Sequence, residues 1–186
     1  FHFFEDKSGN LWFGTSGGGV VKFTNQAFTY YDNLEGFKEK DIFAICADKK
    51  GNVWVGTSLH GVYKYDGTTV TNISEAAGIT TLEARCIYSD SKGNVWIGTT
   101  RGLIRYDGTY HKYDEPGCEN IRSIFEDAAG NIWIGTRGHF AYIFDGKNFK
   151  KVDAKIGLGN ENVYSIVQDR NGKIWMGTGG GVFVYA

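Results

Sequence analysis

The 186-residue chain has 41% hydrophobic residues, 27 glycines, one proline and a formal net charge of −1. This composition can bury a core, and it excludes a disordered polypeptide. The near-neutral charge gives no field to attract nucleic acid, and no apolar run approaches the roughly 18 residues of a membrane-spanning helix. We therefore expect a globular domain with no nucleic-acid partner and no direct membrane insertion of this segment.

One seven-residue motif recurs five times along the chain, and all five tryptophans occupy the same position in it. The second copy reads Gly51-Asn52-Val53-Trp54-Val55-Gly56-Thr57. Successive tryptophans are 42, 42, 37 and 42 residues apart, which is a period typical of propeller blades rather than of helical repeats. The five copies begin at Gly9, Gly51, Gly93, Gly130 and Gly172.

The second repeat predicts the strands of one blade in chain order. The apolar segment 41–47 reads as a buried strand, and Asp48 opens a type I turn that leads into the tryptophan strand. A glycine-containing loop, 58–61, precedes a third strand. The dipeptide Asp66-Gly67 suits a two-residue turn into a fourth strand, 70–73. Each repeat is therefore predicted to be a four-stranded antiparallel meander, except the last, which stops after three strands.

Five such units predict an all-β fold, a β-propeller of five antiparallel blades whose last blade is three-stranded. We expect a single domain over residues 1–186. A closed or nearly closed five-bladed ring is favoured over a cut piece of a larger propeller array. The chain opens on Phe1 rather than on methionine, which indicates a mature or excised piece. The expected blades cover about 1–32, 41–74, 83–114, 120–153 and 162–186.

Tryptophan and cysteine side chains are expected to serve the scaffold. Strand alternation places each indole opposite the flanking aliphatic residues, where it fills the gap between neighbouring blades. Cys46 and Cys86 lie in apolar strand patterns and are predicted to be buried thiols, and the cysteines have no metal-ligand spacing. Because the four histidines are also scattered, we predict no metal site, no cofactor and no catalytic residue.

The last blade carries a family resemblance. Residues 165–178, SIVQDRNGKIWMGT, followed by Gly181-Val182-Phe183, resemble the two-component regulator propeller repeat, and the resemblance covers essentially the whole chain. It implies the carbohydrate-sensing, periplasmic or extracellular part of a hybrid two-component regulator, which is not an enzyme. The implied partner is an oligosaccharide or another small polar ligand. Family sensors usually carry more blades, followed by further domains.

Two other function classes stay open. The repeat is also similar to the blades of streptogramin lyases, which share a Gly-Asn-x-Trp core and are enzymes. A lyase needs a general base and a general acid within mutual reach, and His60 and His139 could pair only across a narrow ring. A protein-interaction scaffold is the other alternative, because a three-stranded last blade offers an edge to another chain or to a further blade.

The variable loops of the predicted propeller share one side of the ring and are the better place for a binding site. Arg85 and Arg122 begin equivalent innermost strands. Arg101 and Arg137 lie in the loops between the second and third strands of the same two blades. We expect these four arginines to converge on one face.

Guanidinium groups at this face predict an anion-preferring saccharide site, because they donate paired hydrogen bonds to carboxylate and sulfate groups. A histidine and a phenylalanine in the fourth blade could add a donor and a stacking ring. The alternative is that the arginines pair with Glu83, Glu119, Glu126 or Glu161 and only solvate the rim. The candidate ligand-binding residues are Arg85, Arg101, Arg122, Arg137, His139 and Phe140.

Overall fold

The computed structural model describes residues 2–31, 37, 40–76, 83–115, 117–138, 140–152 and 162–185. In this part of the chain the strands form five antiparallel sheets, four of four strands and a last one of three. Within each sheet the strands follow one another in chain order, as a meander does. The predicted all-β fold with a three-stranded last blade is therefore confirmed.

The sheets follow the repeats of the sequence, one sheet to each copy of the tryptophan motif. The first two contain β1 (His2–Glu5), β2 (Leu11–Gly14), β3 (Val20–Thr24) and β4 (Ala27–Tyr30), then β5 (Ile42–Ala47), β6 (Val53–Thr57), β7 (Val62–Tyr65) and β8 (Val70–Asn72). The next two contain β9 (Ala84–Ser89), β10 (Val95–Thr99), β11 (Gly102–Tyr106) and β12 (Tyr110–Tyr113), then β13 (Ile121–Glu126), β14 (Ile132–Thr136), β15 (Ala141–Phe144) and β16 (Phe149–Val152). The last contains β17 (Val163–Gln168), β18 (Ile174–Thr178) and β19 (Gly181–Tyr185).

The fourth strand of the second blade is one residue shorter than predicted. Strand β8 ends at Asn72, and the chain turns into a one-turn helix, α1 (Ile73–Ala76). The Asn72 side-chain oxygen accepts a hydrogen bond of 2.9 Å from the amide of Glu75, as a helix cap does. The buried Ser74 hydroxyl accepts from the amide of Val62 at 3.0 Å. These two bonds draw the chain away from the strand.

Neighbouring blades pack through the tryptophan of one and an aromatic residue on the third strand of the next. Trp133 meets Tyr185 edge-on with ring centroids 5.1 Å apart, and Trp54 lies 5.2 Å from Tyr106. Such aromatic pairs add to the burial of the rings themselves. The scaffold role predicted for the tryptophans is thus supported at each described interface. The other two pairs are Trp12 with Tyr65 and Trp96 with Phe144.

The second glycine of the motif, directly before the threonine, allows the blades to approach closely. A Cβ atom on Gly135 would lie 2.8 Å from Val163 Cγ1 in the next blade, and also 2.8 Å from the carbonyl oxygen of Val163. Both distances are too short for a real side chain. The first strands of consecutive blades therefore lie side by side, β1 with β5, β5 with β9, β9 with β13 and β13 with β17.

The expected ring closure is wrong. Trp12, Trp54, Trp96 and Trp133 are 2–4% exposed, whereas Trp175 of the last blade is 40% exposed. On the first blade, Phe3, Phe28 and Tyr30 are also exposed. Two blades that covered one another would bury these rings. The five blades form an open arc, in keeping with the alternative that they are part of a larger propeller.

The first strands of the second to fifth blades share an irregularity that positions the site. In β5, Ile42 and Ala44 pair with consecutive residues of β6, so Phe43 between them is an extra, bulged residue. A bulge bends its strand and redirects a side chain. The equivalent extra residues of β9, β13 and β17 are Arg85, Arg122 and Tyr164.

Candidate functional site

The arc has two faces. The turn face carries the turns that join the first strand to the second and the third to the fourth in each blade. The loop face carries the loops between second and third strands, together with the starts of the first strands.

No helix in the described part of the chain is long and apolar enough to cross a bilayer.

On the turn face, an aspartate ties each turn to the tryptophan of its own blade. In the fourth blade Asp127 Oδ1 accepts from the amides of Ala129 and Asn131 at 3.0 and 2.9 Å. Asp127 Oδ2 accepts from Asn131 Nδ2 at 3.0 Å and from Trp133 Nε1 at 2.8 Å. The equivalent indole bonds join Asp6 to Trp12, Asp48 to Trp54, Asp90 to Trp96 and Asp169 to Trp175.

These hydrogen bonds favour the charged carboxylate. Burial raises the pKa of Asp6, but the bonds from Trp12, Asn10 and two backbone amides outweigh it and lower the pKa to about 2. In the same way the bonds from Trp133 and Asn131 outweigh burial and lower the pKa of Asp127. Asp6 and Asp127 are therefore ionised structural acceptors at neutral pH.

Sequence reasoning assigned these aspartates to the turns and missed their bonds to the tryptophans. The missed signal was the constant spacing: in all five repeats the tryptophan follows the aspartate by six residues. A buried indole N–H needs a hydrogen-bond acceptor, so the aspartate at this constant spacing in the sequence is the group expected to accept from it.

Contacts between neighbouring blades also occupy the turn face. Glu126 accepts from the amide and the hydroxyl of Ser91 at 2.6 and 2.7 Å. Gln168 Oε1 accepts from the amide of Ala128 at 2.8 Å. Glu126 is thus engaged on the face opposite the arginines, and it does not serve as their partner.

On the loop face, Arg85 lies between an acid and an aromatic ring. Its guanidinium forms an ion pair with Glu83, and both side chains are about one quarter exposed. The guanidinium carbon also lies 5.0 Å from the centroid of the Phe43 ring, one bulge position away in the preceding blade. The charge of Arg85 is therefore partly neutralised. This agrees, for Arg85, with the alternative that the arginines pair with nearby glutamates.

Arg122 lies among other positive charges. Burial lowers the pKa of the Arg122 guanidinium, and the charges of Arg85 and Arg137 lower it further, while Glu83 and Tyr164 act in the opposite direction. The Nε atoms of Arg122 and Arg85 are buried and find no hydrogen-bond partner within the part of the chain that the structure describes. The structure therefore brings together three of the four predicted arginines.

A single asparagine holds the Arg137 loop beside this cluster. The amide of Arg137 donates to the carbonyl of Asn120 at 3.0 Å, and the amide of Asn120 donates to the carbonyl of Thr100 at 3.3 Å. Asn120 itself has a positive φ of 49°, which asparagine tolerates better than most residues. It thereby links the loops of the third and fourth blades.

Arg101 lies in a loop on the same face as the other three arginines. Its amide donates to Thr99 Oγ1 at 3.0 Å, and its side chain is exposed. The positive charges that lower the pKa of Arg122 are those of Arg85 and Arg137. We define the arginine cluster as Arg85, Arg122 and Arg137, without Arg101.

Phe140 adopts a backbone conformation that usually belongs to glycine. Its φ is 74°, close to the values of Gly19 (70°) and Gly61 (73°) at the same place in earlier blades. The ring packs against the core shared by the fourth and fifth blades, and Lys151 Nζ lies 4.1 Å from its centroid. A role for this ring in stacking on a sugar stays a prediction, and His139 lies outside the described residues.

The described residues contain no group of three or more side chains suited to bind a metal ion. A histidine–carboxylate pair does occur: His111 Nε2 lies 3.1 Å from Asp107 Oδ2. Asp107 lies in the turn between β11 and β12, and His111 lies in β12, so the pair belongs to the turn face. Hydrogen bonds from Thr109 lower the pKa of Asp107 to about 2.

Comparison with known families identifies the repeat. The sequence matches the two component regulator propeller family at 1–17, 36–58, 78–101, 115–138 and 157–180. These segments include the tryptophan motifs and make up more than half of the chain. A comparison with curated protein sequences found no match.

Several solved structures share the fold of this chain. The chain is 28% identical to the extracellular domain of a hybrid two component system from B. thetaiotaomicron, with a TM-score of 0.84 over 98% of this chain and 26% of that one. It is 21% identical to the extracellular domain of a one component system from the same organism (TM-score 0.78, 95% and 26%). It is 13% identical to virginiamycin B lyase from Staphylococcus aureus (TM-score 0.77, 98% and 68%). The chain thus spans about a quarter of the first two domains.

Proposed function

This chain belongs to the two component regulator propeller family, and on that premise we propose that it is a non-catalytic, ligand-binding part of an extracytoplasmic sensor. The similarity to extracellular domains of two-component systems supports a sensor role and a location outside the cytoplasm. The lyase similarity is at 13% identity and concerns the fold alone. We therefore keep the sensor as the single proposed function.

The proposed ligand is an acidic or sulfated oligosaccharide that binds the arginine cluster. The observation that carries this proposal is the pair of buried guanidinium Nε atoms of Arg85 and Arg122, which lie at equivalent bulged positions of adjacent blades and find no hydrogen-bond partner among the described residues. The positive charges of Arg85 and Arg137, which lower the pKa of Arg122 together with burial, agree with it. An anion that accepts from these guanidiniums would relieve the repulsion among them and supply hydrogen-bond acceptors.

The irregularity of the loop face supports the same location. Bulged positions that are equivalent in the fold carry Phe43, Arg85, Arg122 and Tyr164, so two adjacent guanidinium groups are flanked by an aromatic ring in the blade on either side. Aromatic rings that flank arginines suit a saccharide, because a sugar ring presents apolar C–H groups as well as charged substituents. The mixed positions thus favour one asymmetric ligand rather than a repeated one.

Isothermal titration calorimetry with a chondroitin sulfate tetrasaccharide tests the proposal, with neutral maltotetraose as the uncharged comparison. We expect the sulfated probe to bind, and Arg122→Met to weaken its binding roughly tenfold or more, as expected for the loss of a charge-assisted hydrogen bond. Binding should also weaken with added salt.

A matched control removes an arginine from the other face. Arg170→Met changes an exposed arginine in the turn between β17 and β18, and it should leave the affinity unchanged. Equal affinity of the native chain and the Arg122→Met variant for the sulfated probe would reject the arginine cluster as the site. Tighter binding of maltotetraose than of the sulfated probe would reject the anionic ligand.

A further inference from the structure

The residues two positions before the four bulged residues differ in charge. They occupy equivalent places, because the residue after each of them pairs with the threonine that ends the tryptophan strand of its blade. The second and third blades carry a carboxylate at this position, and the fourth and fifth carry an amide. In chain order the residues are Asp41, Glu83, Asn120 and Asn162. A carboxylate can neutralise a guanidinium group, whereas an amide cannot.

Glu83 is the acid of this set that pairs with its own bulged residue. Its carboxylate forms an ion pair with Nη2 of Arg85, and its negative charge also acts on Arg122. Asp41 instead accepts from the Ser16 hydroxyl of the preceding blade at 2.8 Å. The two bulged arginines therefore differ, because a carboxylate accompanies Arg85 and an amide stands at the equivalent position before Arg122.

The ion pair also limits how Arg85 can bind an anion. Nη2 and Nε together form one edge of the guanidinium group, the edge that donates two parallel hydrogen bonds to a carboxylate or a sulfate. Glu83 occupies Nη2, while Nε of Arg85 is buried and has no hydrogen-bond partner among the described residues. An anionic group of a ligand would therefore have to displace Glu83 before it could form both bonds.

The positive charge of the arginine cluster is consequently concentrated in the fourth blade. Glu83 and Arg85 sum to no net charge, whereas Arg122 and Arg137 contribute two positive charges. Like charges brought close together repel, so an anionic group placed at Arg85 would be repelled by Glu83. A hydroxyl group would instead donate a hydrogen bond to the Glu83 carboxylate and accept one from Arg85.

We propose that Glu83 determines the charge selectivity of the site, which binds one anionic group at Arg122 and Arg137 and uncharged hydroxyl groups at Glu83 and Arg85. This inference rests on the proposed saccharide site, and it adds which acidic saccharide the site takes. The ligand is a sugar with a single charged substituent beside free hydroxyl groups, rather than a densely sulfated one.

Calorimetry at one fixed ionic strength, with two matched probes, tests this role of Glu83. The probes are the chondroitin sulfate tetrasaccharide and the same tetrasaccharide without sulfate, which keeps the carboxylates alone. We expect the native chain to bind the two probes with affinities within about threefold of one another, because Glu83 opposes the additional charge. Glu83→Gln removes that charge and keeps the shape of the side chain. This variant should bind the sulfated probe about tenfold more tightly than the unsulfated probe.

Two further variants separate the charge of Glu83 from other effects. Glu83→Gln combined with Arg85→Met removes both charges of the ion pair, so it should return the two affinities to within about threefold of one another. Glu119→Gln neutralises an exposed acid that precedes the first strand of the fourth blade. Because solvent and salt screen an exposed charge, this variant should show the same preference as the native chain.

The outcomes distinguish this inference from the proposed function. A native chain that prefers the sulfated probe by more than about threefold, or a Glu83→Gln variant with the native preference, would overturn the role of Glu83 and leave the arginine cluster as the site. The same gain in Glu83→Gln with and without Arg85→Met would also overturn it, because the second anion would then bind elsewhere. A native chain that binds neither probe would overturn the proposed function and this inference together.

Discussion

The turn face and the loop face of this protein carry opposite kinds of chemistry on the same strands. On the turn face, five aspartates make the same bond to five tryptophans. On the loop face, equivalent bulged positions carry Phe43, Arg85, Arg122 and Tyr164. A contact repeated in every blade holds the blades together, whereas a position that changes from blade to blade can recognise a single ligand. The repeated bonds give the turn face a stabilising role, and the variable positions are the reason for placing the proposed ligand site on the loop face.

The largest expected effect comes from removing a tryptophan of the turn-face network. Trp133→Ala should lower the free energy of unfolding by about 3–5 kcal/mol, because Trp133 is 3% exposed and packs between two blades. Urea denaturation measures this loss. The matched variant Trp175→Ala should cost only about 1 kcal/mol, since the ring of Trp175 is covered on one side only. Equal losses would contradict the open arc.

Removing the carboxylate charge should cost less than removing the ring. Asp127→Asn keeps one acceptor oxygen and replaces the other with an NH2 group, which only donates. The variant therefore leaves the indole N–H of Trp133 or a backbone amide without a good acceptor. We expect a loss of about 1–3 kcal/mol in the free energy of unfolding. Asp169→Asn makes the same change in the open blade, where water can replace the lost bond, and should cost less. The reverse order would argue against burial as the cause.

The cost of Asp127→Asn should depend on pH. The pKa of Asp127 is lowered in the folded state, so its contribution is complete above the unfolded pKa of about 3.9 and is lost as pH falls through the folded pKa. The difference in unfolding free energy between the native chain and the variant should therefore shrink below about pH 4. Urea denaturation at pH 7 and at successively lower pH values measures it. A difference in unfolding free energy that does not change with pH would contradict the role of Asp127 as an ionised acceptor.

The smallest expected effect lies at the strained residue of the loop face. Phe140→Gly loses a partly buried ring but relieves a positive φ, whereas Phe140→Ala loses the ring and keeps the strain. Phe140→Ala should therefore be less stable than Phe140→Gly by about 1 kcal/mol, contrary to the usual order of these residues. Thermal unfolding of the two variants measures the difference. If Phe140→Ala proved at least as stable as Phe140→Gly, the result would contradict backbone strain at position 140.

The fold was more predictable from sequence than the site was. Five copies of one motif predict five blades, because a nearly regular spacing of 37–42 residues leaves little choice of strand order. Ring closure depends on the angle between blades, which no residue pattern reports, and the exposed Trp175 revealed the open arc. For the same reason, the sequence placed Arg85 and Arg122 at equivalent positions but gave no sign that both are bulged. Bulges depend on the pairing of strands and have no sequence mark here.

The most direct test of the division between the two faces is NMR of the 20.6 kDa chain during titration with the chondroitin sulfate tetrasaccharide. Backbone amide shifts show which face the probe contacts. The division predicts the largest changes at Arg85, Arg122 and Arg137, with the amides of Asp48 and Asp127 on the turn face unchanged. Changes centred on the turn-face amides, with the arginine cluster unmoved, would contradict it.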